Sequence, residues 1–154
     1  MEVQVMDIPP VSVAYLRYKG PFGAAIAAFW SEIFNPWRAA HGLDQRTTYG
    51  VAQDDPGVTP AAECRYDACV EVDDGYEPTA PVKLARLAGG RYAVAAFTGT
   101  GADMPAAWGE FFGSWLPASG LAMDARPCFE RYAASYAIDA QTGVFSCELC
   151  LPVK

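Results

Sequence analysis

One carboxylate, Glu130, stands out because the chain repeats itself and the equivalent residue of the first copy is a glycine, Gly50. The two positions correspond because Tyr49-Gly50 aligns with Phe129-Glu130. Glu130 follows the apolar stretch Pro-Cys-Phe, which favours an inward side chain over an exposed one paired with an arginine. A buried ionised carboxylate without a partner is unstable, so we expect a raised pKa or a hydrogen bond from a tyrosine hydroxyl.

Aromatic residues recur at helical spacing in both copies, and all four tryptophans of the chain lie in these two stripes. The stripes are Trp30, Phe34 and Trp37 in the first copy and Trp108, Phe112 and Trp115 in the second. Such rings can simply pack each helix on its sheet, but across a two-fold axis they would line an aromatic cleft. Tryptophan and tyrosine faces attract a weakly hydrated organic cation by about 0.5–2 kcal/mol each. The candidate ligand-binding residues are Glu130, Tyr132, Trp108, Phe112, Tyr66, Tyr18 and Trp30.

The periodicity of each copy predicts the elements that position these residues. Each copy reads as a strand, a helix and two further strands, which is a β-α-β-β unit. The copies span about residues 1–72 and 82–154, and the linker between them is rich in turn residues. We therefore expect an α+β fold with pseudo-two-fold symmetry, in which an antiparallel sheet carries both helices on one side. We also expect a single domain over residues 1–154.

The composition limits the classes of function. The chain has 154 residues, of which 52% are hydrophobic, and a net charge of −7 with its 11 basic residues scattered singly. A nucleic-acid-binding surface needs clustered positive charge, so direct nucleic-acid binding is not expected. No apolar run reaches the roughly 18 residues that span a bilayer, and no signal peptide is recognisable, so no membrane association is expected. An odd number of cysteines, five, favours a reducing cytoplasm.

Other kinds of chemistry have little support in the sequence. The single histidine, His41, falls at a predicted helix C-terminus, where it suits a capping role. Cys147 and Cys150 have Cys-x-x-Cys spacing, but residues three apart in a strand-like run point to opposite faces. Metal-ligand spacing, a glycine-rich phosphate loop and a nucleophile elbow are all missing, so we expect neither a metal nor a cofactor.

Several short segments, in a fixed order, together form a recognisable signature. The first copy has Asp-Asp-Pro-Gly-Val-Thr-Pro at 54–60, followed by Cys-Arg-Tyr-Asp-Ala-Cys-Val at 64–70. The second copy has Gly-Gly-Arg-Tyr-Ala-Val at 89–94, residues 115–121, Pro-Cys-Phe-Glu-Arg-Tyr at 127–132 and residues 151–153. These segments resemble the GyrI-like small-molecule-binding family, the effector-binding domains of AraC-type and MerR-type multidrug-responsive regulators. The resemblance covers essentially the whole chain and implies a duplicated β-α-β-β fold, here as a stand-alone domain.

The resemblance also implies a function. In this family the pocket between the copies takes up lipophilic, often cationic molecules, and a glutamate of the second copy is their usual anion. The Phe-Glu-Arg-Tyr stretch places that role on Glu130. The leading hypothesis is therefore a cytoplasmic sensor or sequestering protein for a lipophilic or cationic small molecule.

Two alternatives remain open at this point. One is a hydrolase of reactive electrophilic small molecules, in which Glu130 acts as the general base for water. The other is a protein-interaction module, which inhibits a topoisomerase or serves as the detached sensor of a separate regulator. A second acid close to Glu130 would favour hydrolysis, whereas a wall of aromatic rings would favour binding.

Overall fold

The computed structural model describes all residues from 1 to 154 and contains eight strands in one antiparallel sheet. The strands are β1 (Val3–Ile8), β2 (Val11–Lys19), β3 (Thr48–Ala52), β4 (Arg65–Glu71), β5 (Lys83–Leu87), β6 (Gly90–Gly99), β7 (Phe129–Tyr132) and β8 (Phe145–Pro152). Helix α1 covers residues 24–40 and helix α2 covers residues 104–119. Each helix contains one π-helical turn, Trp30–Phe34 in α1 and Phe111–Trp115 in α2. No helix is both long enough and apolar enough to cross a membrane.

The strand order shows the two-fold symmetry of the fold. Across the sheet the order is β1-β6-β8-β7-β3-β4-β2-β5. Strands β1, β2, β3 and β4 of the first copy correspond to β5, β6, β7 and β8 of the second copy. When each strand is exchanged for its counterpart, the order read from one edge of the sheet becomes the order read from the other edge. The axis passes between the central strands β3 and β7, where Gly50 and Glu130 lie directly opposite each other. The predicted α+β architecture of duplicated β-α-β-β units is therefore confirmed.

The first strand of each copy lies within the other half of the sheet, which the repeat in the sequence did not reveal. Strand β1 pairs with β6 of the second copy, and β5 pairs with β2 of the first copy. Each copy therefore relies on the other for the edge strand that satisfies its backbone hydrogen-bonding groups. We infer from this exchange that residues 1–154 fold as one domain.

Both helices lie on one side of the sheet, as predicted. A continuous row of paired residues crosses five neighbouring strands on that side: Ala68, Gly50, Glu130, Leu149 and Ala95. Ala68 packs in a buried cluster with Phe34 of α1, and Leu149 packs in another with Phe111 of α2. Burying each phenylalanine contributes about 1.5–3 kcal/mol, which holds the two helices over this row.

The aromatic stripes differ from the prediction by one residue. Phe34 is fully buried in α1, but the fully buried phenylalanine of α2 is Phe111, whereas Phe112 is 38% exposed. A π-helical turn holds more residues than an α-helical turn. Such a turn separates Trp30 from Phe34, whereas an ordinary α-helical turn separates Trp108 from Phe111. A spacing of four residues in α1 therefore corresponds to a spacing of three in α2.

The face of the sheet opposite the helices is covered by the sheet itself. It carries a buried cluster made of strand residues alone, among them Val13, Val51 and Tyr92. Ile8 near one edge of the sheet and Leu87 near the other both pack on this cluster. The two edges therefore approach each other, and the sheet curls into a half-barrel whose concave face lies away from the helices.

Candidate functional site

Glu130 lies at the centre of the sheet, on the face that carries the helices, and is partly accessible to solvent. Its Oε2 atom accepts a hydrogen bond from the Tyr66 hydroxyl at 3.1 Å. No basic side chain pairs with it. In contrast, Asp67 and Glu148 on the concave face each bind an arginine at 2.8 Å. Glu130 is therefore a carboxylate whose contacts are neutral hydrogen-bond donors.

The surroundings of Glu130 favour its protonated form. Burial raises the pKa of the Glu130 carboxyl to about 7, and the hydrogen bond from the Tyr66 hydroxyl, together with the influence of the Trp108 side chain, partly opposes this rise. Both protonation states are therefore populated near neutral pH. The raised pKa and the tyrosine hydrogen bond are the two features that the sequence led us to expect.

Tyr66 connects helix α1 to the carboxylate. Its hydroxyl accepts a hydrogen bond from the Trp30 indole N–H at 3.1 Å and donates one to Glu130. Burial and the nearby Glu130 raise the pKa of Tyr66 well above its usual value, so the hydroxyl stays protonated and remains a donor. Trp30 and Trp108, one from each copy, thus both influence this carboxylate: Trp30 acts through the Tyr66 hydroxyl, and the Trp108 side chain helps to lower the pKa of Glu130.

Aromatic rings surround this hydrogen-bonded centre. Trp30 makes an edge contact with Tyr132, with 5.8 Å between ring centroids, and Tyr132 contacts Tyr136 at 4.9 Å. Phe22 makes an edge contact with Tyr66 at 6.1 Å. Burial is the main cause that raises the pKa of Tyr132 far above its usual value, and the negative charge of nearby Glu130 adds to the rise. The rings pack on one another and shield Glu130 from most of the solvent.

The structure brings most of the predicted site residues together, and two lie farther out. The residues that meet around the carboxylate are Glu130, Tyr66, Trp30, Tyr132 and Trp108. The Tyr18 hydroxyl donates to the Pro21 carbonyl oxygen at 2.6 Å, and its ring packs against Phe29 of the α1 core. Phe112 stacks on Trp108 at 5.5 Å but stays exposed, because of the shift in the aromatic stripe.

Two aromatic residues that the sequence analysis missed, Phe22 and Tyr136, also belong to this group of rings. Phe22 lies in the loop between β2 and α1, and the flanking glycines Gly20 and Gly23 both have positive φ. Tyr136 lies in the loop between β7 and β8. Neither residue takes part in helical or strand periodicity, so a search based on periodicity does not find them. The Gly-Pro-Phe-Gly sequence at residues 20–23, which is typical of a turn, was the feature that could have drawn attention to Phe22.

Two shallow recesses lie on the concave face, away from Glu130. One has a volume of about 170 Å³ and includes Glu148, and the other has a volume of about 150 Å³ and includes Phe129. Their charged side chains are exposed or paired with an opposite charge. The ring-lined centre around Glu130 is therefore the better candidate site.

The chain matches known proteins along its whole length. The family model described as GyrI-like small molecule binding domain matches residues 1–154. YosT of Bacillus subtilis (strain 168), whose name describes it as an SPbeta prophage-derived transcriptional regulator, is 31% identical over 155 residues, with 100% of both chains covered. A protein of Enterobacter lignolyticus (strain SCF1) named DNA gyrase inhibitor is 30% identical over 135 residues, which cover 86% of this chain and 85% of that one.

A solved structure shares the fold. SAV2435 bound to tetraphenylphosphonium superposes with a TM-score of 0.66 and 18% identity, covering 100% of this chain and 94% of that chain. At this identity the likeness shows the fold alone. The family match extends over every residue, and the relative YosT shares 31% identity along its full length. The chain therefore belongs to the GyrI-like family and is a small-molecule-binding domain.

Proposed function

We propose that this protein binds a lipophilic cation at the ring-lined centre, with Glu130 as the anion that anchors it. The observation that carries the proposal is a carboxylate among aromatic rings that accepts a hydrogen bond from Tyr66 and has no basic side chain paired with it. A bound cation supplies the missing opposite charge, so the cost of ionising the carboxyl in this environment is offset. The protein would then act as a sensor or as a sequestering protein.

The surroundings of Glu130 favour an organic cation over a metal ion. The chain has no cluster of three or more His, Cys, Asp or Glu residues that could hold a metal. A delocalised or quaternary cation is weakly hydrated and is attracted to the faces of tryptophan and tyrosine rings. SAV2435, which has the same fold, binds tetraphenylphosphonium, and this cation belongs to the proposed class.

A matched pair of ligands tests the charge of the site. Tetraphenylphosphonium and tetraphenylborate have nearly the same shape and opposite charge, and we expect the protein to bind the cation in strong preference. Trp30 and Trp108 lie in the candidate site, so a change in tryptophan fluorescence would report binding. The titration is done at pH 8.5, where Glu130 is mostly ionised. Equal binding of both ions would contradict the proposal.

Two variants separate the anchor from the overall charge of the protein. Glu130→Gln keeps the shape and removes the charge, and it should weaken tetraphenylphosphonium by about 2–4 kcal/mol, as expected when one partner of a buried charge pair is lost. Glu148→Gln removes the same charge from the concave face, where Glu148 pairs with Arg131. This control should leave the affinity nearly unchanged. Equal losses in the two variants would rule out an anchoring role for Glu130.

A hydrolase is the second candidate function. Its specific support is the pKa of Glu130, about 7, which suits a general base near neutral pH. No second carboxylate contributes to that pKa, and the neighbours of Glu130 are rings, so the geometry favours binding. Consumption of an electrophilic compound by the protein, followed by mass spectrometry and lost in Glu130→Gln, would instead assign the hydrolase.

A protein partner is a further element of the proposal. Relatives of this chain carry the names transcriptional regulator and DNA gyrase inhibitor. A sensor without an enzymatic output needs such a partner, because its bound state has to be read by another molecule. A DNA supercoiling assay with gyrase, with and without tetraphenylphosphonium, tests whether gyrase is the partner. Unchanged supercoiling at saturating protein would exclude gyrase as the partner.

A further inference from the structure

The Tyr66 hydroxyl occupies the space that a side chain at position 50 would fill. Tyr66 is the pairing partner of Ala52 on β3, and its ring leans along β3 to reach Gly50. A Cβ atom at position 50 would overlap both the Tyr66 hydroxyl and the Oε2 atom of Glu130. The contact between Tyr66 and Glu130 therefore depends on a side-chain position that is empty.

The backbone does not explain the glycine. The glycines with positive φ lie elsewhere in the chain, at positions 20, 23, 42, 90, 120 and 143. Gly50 lies inside strand β3, where alanine fits the same backbone conformation and glycine weakens the strand. The strand itself therefore disfavours glycine at this position. The remaining reason for a glycine is that the Tyr66 hydroxyl and Glu130 fill the space that a side chain at position 50 would need.

We propose that Gly50 is a positioning residue, whose missing side chain holds the Tyr66 hydroxyl on Glu130 and so keeps Glu130 available as an anion. The proposal rests on the proposed function only for the use of that anion, which is to anchor a cation. The Tyr66 hydrogen bond is one of the two contacts that lower the pKa of Glu130 against the effect of burial. A methyl group at position 50 would push the hydroxyl away and would itself crowd the carboxylate oxygen.

The direct test is a titration of Glu130 by carbon-13 NMR of the side-chain carboxyl groups, with Glu130→Gln used to identify its signal. Gly50→Ala should raise the pKa of Glu130 by about 1 or more, because a hydrogen bond to a charged group is lost. Tyr66→Phe should produce a similar rise without any change at position 50. An unchanged titration of Glu130 in Gly50→Ala would overturn the proposal.

The double variant tests whether the two residues act through the same contact. In Tyr66→Phe, no hydroxyl remains to be displaced, so adding Gly50→Ala should change the titration of Glu130 less than Gly50→Ala does in the natural protein. The change that remains comes from the new methyl group crowding the carboxylate oxygen. The melting temperature gives a second readout if Gly50→Ala alone folds poorly. Tyr66→Phe should then restore part of the loss, because it removes the oxygen that overlaps the new methyl group. Independent, additive effects on both readouts would overturn the proposal.

Ligand binding separates this inference from the proposed function. With a pKa of about 8 instead of 7, the ionised fraction at pH 7 falls from about a half to about a tenth, so Gly50→Ala should bind tetraphenylphosphonium about fivefold more weakly. At pH 9 the difference should vanish. The NMR titration needs no ligand. A shifted titration with no binding of tetraphenylphosphonium would support the positioning role and reject the cation site.

Discussion

Replacing Glu130 with glutamine should stabilise the unliganded protein above pH 7, although the residue lies at the centre of the candidate site. The carboxyl has a pKa of about 7 in the folded protein, against a reference value of 4.5. The folded state therefore binds a proton more tightly than the unfolded state does. Its contribution to stability is fully present below about pH 4.5 and is lost as the pH rises through 7.

The size of the effect follows from the two pKa values. Each pKa unit corresponds to 1.36 kcal/mol, and the difference is about 2.5, so the loss approaches about 3 kcal/mol by pH 8. Partial contact of Glu130 with solvent reduces this figure to about 2–3 kcal/mol. Glutamine has the same shape and does not ionise. The free energy of unfolding of Glu130→Gln, relative to that of the natural protein, should therefore increase steadily between pH 5 and pH 8.

Urea denaturation at pH 5, 6, 7 and 8, followed by tryptophan fluorescence, measures this difference. Other titrating groups are common to both proteins, so their effects cancel in the comparison. Glu148→Gln serves as the control, since it removes a carboxylate that is paired with Arg131 and should not gain stability at high pH. A difference between Glu130→Gln and the natural protein that is flat from pH 5 to pH 8 would refute the reasoning.

Two further predictions follow from the same site and from the helix packing. Tetraphenylphosphonium should displace close to one proton from Glu130 at pH 6 and almost none at pH 8.5. Calorimetric titration in two buffers of different ionisation enthalpy measures the number of protons released. Equal proton release at both pH values would contradict the pKa of about 7. Phe111→Ala should destabilise the protein by about 3–5 kcal/mol, as should Phe34→Ala, whereas Phe112→Ala should cost less than about 1 kcal/mol. Urea denaturation checks this order, and a larger loss for Phe112 would contradict the shifted stripe.

Local patterns in the sequence were sufficient for the architecture and for proposing Glu130 as the central residue of the candidate site. Two β-α-β-β patterns follow from alternation and helical spacing, because each depends on residues close together in the chain. The contrast between Gly50 and Glu130 is also visible in the aligned copies. Trp30 and Trp108 could be proposed beside Glu130 because equivalent residues of a duplicated fold approach the same axis.

Features that depend on distant parts of the chain were decided only by the tertiary structure. Strands β1 and β5 change places because pairing across the sheet is set by long-range register and not by local pattern. The burial of Phe111 instead of Phe112 depends on where a π-helical turn begins, and the side-chain pattern alone does not reveal that position. Tyr66 reaches Gly50 and Glu130 only because β3 lies between β4 and β7, which brings three distant segments together.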